Sequence, residues 1–276
     1  MRHGRLPPAL LICVSLGVVL TSLPALAHAD EAPALSREQM AEFLMTAKVI
    51  GSRGTSSGVT RPRRLTLTDG TITQDALFQS VDESKSIQRF DGGRVEMNFR
   101  DSWVYNVAAF RVAELVGLGD MVPVTVERVH DGQRGSLAWW LTVKWDERAR
   151  RKAGAVPPDR MEWSRQVQTM RVFTELVQDT DRNLTNMLIT EDWRLWMVDF
   201  SRAFRRHTFL RQPTTLLQCS RALRDRLATL TREEVAAAAG PYLTPGEIDA
   251  LLRRRDLILE RLDKLAAERG EDHVYF

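Results

Sequence analysis

The run Asp179-Thr180-Asp181-Arg182-Asn183-Leu184-Thr185-Asn186, followed by Met197-Val198-Asp199-Phe200-Ser201-Arg202, is the densest concentration of chemistry in the chain. Before it, Val167, Met170, Phe173 and Leu176 recur at helical spacing, which predicts a helix over 161–177. After it, 187–190 and 195–200 read as two short strands joined by a turn at Glu191-Asp192. Asp181 and Asn186 therefore project from a loop between helix and strand, and Asp199 stands at the end of an apolar strand. That arrangement suits phosphoryl transfer, which needs a divalent cation on the phosphates and a carboxylate near the attacking hydroxyl. Mg²⁺ takes one or two protein carboxylates and leaves its remaining positions to phosphate and water. Asp199 and Asn186 can supply that metal, Asp181 can accept the substrate proton, and Arg182 can neutralise the clustered acids.

Working outward, the rest of the chain divides into two patterns. Ser36 with Gln39 three residues on is a capping box for a helix to about Lys48. Strand signals follow at 60–67 and 71–81 around Asp69-Gly70, and at 94–99 after Asp91-Gly92-Gly93. Asp101 or Ser102 caps a helix over 103–116, stopped by Gly117, and strands follow at 122–129 and 136–145. Charged residues 146–159 end in Pro157-Pro158 and read as a hinge. Beyond the central loop the chain is helical over 214–230, 232–239 and 245–268. The fold class is α+β, with a strand-rich lobe over 30–146 and a mainly helical lobe over 147–276.

Composition narrows the class. The 276 residues are 43% hydrophobic and 27% charged, which excludes collagen-like, polar-disordered and polytopic membrane chains. Lys+Arg total 39 against 36 Asp+Glu, the two signs are interspersed, and no nucleic-acid face emerges. Residues 1–29 read as a signal peptide: Arg2 and Arg5, an apolar run from Pro8 to Leu20, and Ala27-His28-Ala29 before Asp30. An uncleaved anchor is the competing reading, against which Thr21, Ser22 and Pro24 interrupt the apolar run. The implied location is exported, periplasmic or secreted, with no stable membrane span after cleavage. Cys13 leaves with the signal, so Cys219 has no disulfide partner and reads as a small core residue. Trp139 and Trp140 read as packing residues, Arg253-Arg254-Arg255 as the wet face of a helix, and His130 and His207 lack ligand-spaced partners.

Asp-Arg-Asn-x-x-Asn followed by Asp199-Phe200-Ser201-Arg202-Ala203-Phe204 resembles the catalytic loop and metal motif of the atypical protein-kinase-like superfamily: HipA-type toxin kinases, phosphoinositide kinases and secretory-pathway casein kinases. Asn106-Val107-Ala108-Ala109-Phe110 and the exit through Leu118 to Pro123 are similar to the N-lobe helix of the secretory group. The likeness runs from about Val49 to Phe204. It implies a two-lobed kinase-like fold, ATP as donor, Mg²⁺ or Mn²⁺ held by Asn186 and Asp199, and Asp181 as the catalytic base. Gly51, Gly54, Ser56 and Gly58 then belong to a phosphate-covering loop, and Leu77, Gln79 and Asn106 face the nucleotide. The acceptor is a protein, glycan or lipid hydroxyl.

Two positions depart from that pattern. Gln79 stands where the family places a strand Lys, and Asn106 where it places the partnering helix Glu. Losing both together is coherent, because two amides satisfy one another whereas one orphaned charge would not. Lys85, or the cluster Arg61, Arg63 and Arg64, could replace the missing cation; otherwise these are solvated surface charges. An inactive pseudokinase that binds nucleotide or protein, and an exported interaction protein in which Asp181 and Asp199 are structural, are the alternatives.

Overall fold

Leu65 and Leu67 are fully buried while Arg64, Thr66 and Thr68 between them are not, the alternation of a strand with one face on a core. In the computed structural model, which describes residues 1, 35–55, 62–93 and 95–276, this strand is β2 (Arg63–Thr68). It pairs with β1 (Lys48–Gly54) and β3 (Thr73–Gln79) in a five-stranded antiparallel sheet. With β6 (Thr125–His130) and β7 (Gln133–Trp139), the order is β1-β2-β3-β7-β6. The β2–β3 turn is the expected one. Asp69 Oδ1 accepts from the amides of Thr71 (2.8 Å) and Ile72 (2.9 Å), and Gly70 takes the left-handed conformation, φ 95°.

Between β3 and the next helix, β4 (Asp82–Arg89) and β5 (Val95–Ser102) form a separate hairpin. α2 (Val104–Leu115) is apolar on nearly every side, with Val107, Ala108, Ala109, Val112 and Ala113 fully buried. α1 (Arg37–Thr46) carries the Ser36–Gln39 capping box.

The C-terminal part is built from α3 (Glu147–Lys152), α4 (Arg160–Leu176), α5 (Arg221–Thr229), α6 (Arg232–Ala239), α7 (Pro245–Arg269) and α8 (Glu271–Val274). A small sheet, β10-β9-β8, adds β8 (Trp145–Asp146), β9 (Met187–Ile189) and β10 (Leu195–Met197). Phe173, Leu176, Leu251, Ile258 and Leu262 are all fully buried where α4 meets α7. Leu35–Phe276 forms one compact unit, and the signal-peptide reading falls on residues outside those described. Among the described residues no helix is long and apolar enough to cross a membrane.

Several expectations need correction. Residues 146–159 contain α3, because Asp146 caps it and the buried Glu147 is held by Arg150 and Arg151. Residues 214–220 are a 3₁₀ turn and an extended bridge, and the helix starts only where Ser220 caps it. Asp101 and Ser102 belong to β5, and α2 follows Trp103 without a side-chain cap. Gly51 and Gly54 lie in β1 and not in the phosphate-covering loop expected of them. Arg254 is completely buried: from α7 it donates to the carbonyls of Leu176 (3.0 Å), Arg205 (2.9 Å) and His207 (2.7 Å). Helical spacing does not show that α7 is enclosed at that turn.

Candidate active site

The loop after α4 is fixed by a buried ion pair, Arg182 to Asp179 at 2.5 Å, with side-chain exposures of 6% and 0%. Arg182 Nη1 also donates to the carbonyls of Asn186 (2.6 Å) and Val198 (2.7 Å), and its guanidinium lies 4.4 Å from the centre of the Phe200 ring. One side chain thus clasps the 179–186 loop to the strand end that carries Asp199. The Val198 amide donates to the Asn186 carbonyl (3.1 Å), and Thr180 closes onto the Arg202 carbonyl from the other side.

Within this frame, Asn186 ends a 3₁₀ turn capped by Asn183. Its Nδ2 donates to the Asp181 backbone carbonyl (3.0 Å), which turns Oδ1 away from that contact. Asp199 sits at φ 57°, a left-handed backbone that Asp tolerates better than most residues. Its Oδ1 accepts from the Ser201 hydroxyl at 2.9 Å. Burial raises the Asp181 carboxyl above its ordinary value; Arg202 opposes the shift, and the charges of Asp179 and Asp199 add to it. Asp101, which the sequence reading treats only as a helix cap, is raised likewise by burial and by Asp199, against the Ser201 hydroxyl.

The proposed metal donors are therefore one carboxylate, Asp199, and one amide, Asn186, on segments joined by the Val198 amide and the Asn186 carbonyl. Among the described residues no group of three His, Cys, Asp or Glu side chains is gathered to hold a metal unaided. One carboxylate with a neutral amide oxygen is the sparse protein share that a phosphate-bound Mg²⁺ takes, so Asp199 and Asn186 fit such an ion.

The two departures from the family pattern meet each other. Asn106 Nδ2 donates to Gln79 Oε1 (2.9 Å) and to the Ser136 hydroxyl (3.2 Å), while Asn106 Oδ1 accepts from the Phe200 amide (2.7 Å). A neutral latch joins β3, β7, α2 and the segment after Asp199 where an ion pair was to be expected.

The remaining candidates are scattered. Leu77, half-buried, lies opposite Arg64 and Ala138 in the sheet. Lys85 is on β4, opposite Phe99, half exposed and paired with Glu83 at 3.0 Å. Gly51 lies near Thr66, Gly54 ends β1, and Ser56 and Gly58 fall outside the described residues, as does Arg61. Arg63 and Arg64 are engaged by Asp131 and Asp75. Trp139 packs edge-on against Phe43, and Arg64 covers Trp140 at 4.0 Å. Cys219 is buried, and burial pushes its thiol up to about 12, so it is inert.

No family model matches the chain, and no curated protein matches it by sequence. Solved structures do match it by shape. The hydra Fam20 structure with sugar superimposes with a TM-score of 0.64 at 15% identity, over 87% of this chain and 91% of that one. The Golgi casein kinase with Mn/ADP bound gives 0.60 at 11% identity, over 87% of this chain and 78% of that one. The chain has the kinase-like fold of these structures. In this kinase-like frame the antiparallel sheet with α2 forms the N-terminal region, and the Asp181–Asp199 segment belongs to the helical part. Gln79 and Asn106, expected at the positions of the family's Lys–Glu pair, are the two amides joined on β3 and α2 in this frame.

Proposed function

We propose that the chain is an exported, metal-dependent phosphotransferase that moves a phosphoryl group from ATP to a hydroxyl of a protein, glycan or lipid. The observation that carries the reading is the Arg182 clasp, which locks the Asp181–Asn186 loop to the strand end bearing Asp199 inside a kinase-like fold. Asp181 is the proton acceptor for the attacking hydroxyl; burial and the charges of Asp179 and Asp199 raise its pKa, which makes it a better base than an ordinary Asp. Asn186 and Asp199 would hold Mg²⁺ or Mn²⁺, which supplies charge neutralisation on the phosphates. Residues 30–146 and 147–276 act as the two lobes.

Purified protein supplied with labelled ATP and Mn²⁺ should label an acceptor hydroxyl or itself, and Asp199→Ala should reduce labelling on the order of 10³-fold. Equal labelling by both would end this reading. The Gln79–Asn106 amide pair favours a second one, a pseudokinase that binds nucleotide without turning it over. Nucleotide that raises the melting temperature of a chain unable to transfer phosphate would select it.

A further inference from the structure

We infer that Arg202 and Arg205 form an anion subsite for a phosphate group, filled in this state by the carboxylate of Glu96. Both guanidiniums are buried, with side-chain exposures of 9% and 7%, and Glu96 reaches them from the β4–β5 hairpin. Glu96 Oε2 accepts from Arg202 Nη2 at 2.6 Å, and Oε1 accepts from Arg205 Nε at 3.1 Å and Nη2 at 2.7 Å. Both oxygens are engaged, yet Arg202 Nε and Arg205 Nη1 are buried without a hydrogen-bond partner. Two orphaned donors beside a two-oxygen ligand are what a ligand with a third and fourth oxygen would satisfy.

Two cations meet the Glu96 carboxylate directly, and Asp181 lies 3.6 Å from Arg202. A phosphate that displaced Glu96 would keep the two guanidiniums paired with an anion. The walls are aromatic: the Arg202 guanidinium lies 5.0 Å from the Phe90 ring centre and 5.1 Å from that of Phe99, with Arg205 5.8 Å from Phe99. Buried Arg–Glu–Arg triads are poor sources of stability compared with apolar packing, so such a triad beside a proposed reaction centre calls for a use. Exchange of the Glu96 carboxylate for phosphate at this place would seat a phosphate-bearing molecule next to Asp181. The subsite is independent of phosphotransfer, since it is tested without nucleotide or metal.

The test compares melting temperatures of the full chain in inorganic phosphate, in O-phosphoserine and in chloride at matched ionic strength. In Glu96→Gln, which removes the competing carboxylate charge from the subsite, the rise caused by phosphate over chloride should be at least about three times that of the wild type. Adding Arg205→Gln to Glu96→Gln should remove the rise. A response to inorganic phosphate alone identifies a free ion as the ligand, and one to phosphoserine identifies a phosphate carried on another molecule. Either supports the subsite. If Glu96→Gln does not fold, Glu96→Asp replaces it, because the shorter side chain loosens the contact and keeps the charge. No phosphate-specific rise in these variants, or a rise that survives loss of Arg205, overturns the inference.

Discussion

The two ends of the candidate site hold their geometry by opposite means. At the 179–202 segment the frame is ionic: a buried Arg182–Asp179 pair clasps loop to strand, with Asp181 and Asp199 half-buried beside it. At the junction of β3, β7 and α2 the frame is neutral, with Gln79, Asn106 and Ser136 satisfying each other and the Phe200 amide. The contrast separates two jobs that one ion pair performs together in the kinase pattern. Holding α2 against the segment after Asp199 requires only matched donors and acceptors, which amides supply. Neutralising nucleotide phosphates requires a cation, which amides do not supply. The architecture survives the first substitution while the electrostatics of the second job are left open.

Breaking the ionic end should cost most. Arg182→Met leaves Asp179 buried without its partner and should lower stability by about 3–5 kcal/mol in urea unfolding, with a partial return in Arg182→Met/Asp179→Asn. At the neutral end, Asn106→Leu strands the Phe200 amide and should cost about 1–3 kcal/mol for that group alone. Gln79→Lys by itself should also destabilise, because it sets an ammonium against the Asn106 donor, whereas Gln79→Lys/Asn106→Glu should recover most of the loss. If the double variant also gains a nucleotide-induced rise in melting temperature, the missing cation was the only deficiency at this end.

A smaller effect tests the surplus negative charge. Burial and Asp199 hold the Asp101 carboxyl up, so its protonated form is the one the fold prefers. Its contribution is favourable below the unfolded Asp value of 3.8 and is lost as pH rises through the raised folded value. Asp101→Asn should therefore melt higher than the wild type at pH 7, by about 2–4 °C per kcal/mol relieved, and show no such gain at pH 3. The smallest change is expected at Lys85, half exposed, paired with Glu83 and 5.8 Å from the centre of the Phe99 ring. Lys85→Ala should shift stability by less than about 0.5 kcal/mol. A drop in nucleotide response in that variant would then report phosphate contact and not unfolding.

What could be read from residues alone followed from local rules. The capping box at Ser36, the Asp69-Gly70 turn and the period of α4 each rest on a few neighbouring side chains, and each stands in the structure. The mutual satisfaction of Gln79 and Asn106 was legible too, because both ends of one expected pair change together. What escaped depends on contacts distant in sequence. Glu96 meets Arg202 and Arg205 more than a hundred residues away, and Asp101 feels Asp199 only after β5 folds beside it. Arg254 looks like its solvated neighbours until α4 and the segment after Asp199 close over α7. No periodicity or spacing encodes those meetings.

The central claim is that Asp199 and Asn186 seat a divalent cation beside Asp181. Free Mn²⁺, followed by its paramagnetic resonance signal during titration with protein and ADP, measures that seat directly. The account predicts one saturable Mn²⁺·ADP site in the wild type, weakened at least about tenfold in Asp199→Asn. Equal binding by the two proteins, or none by either, would contradict it.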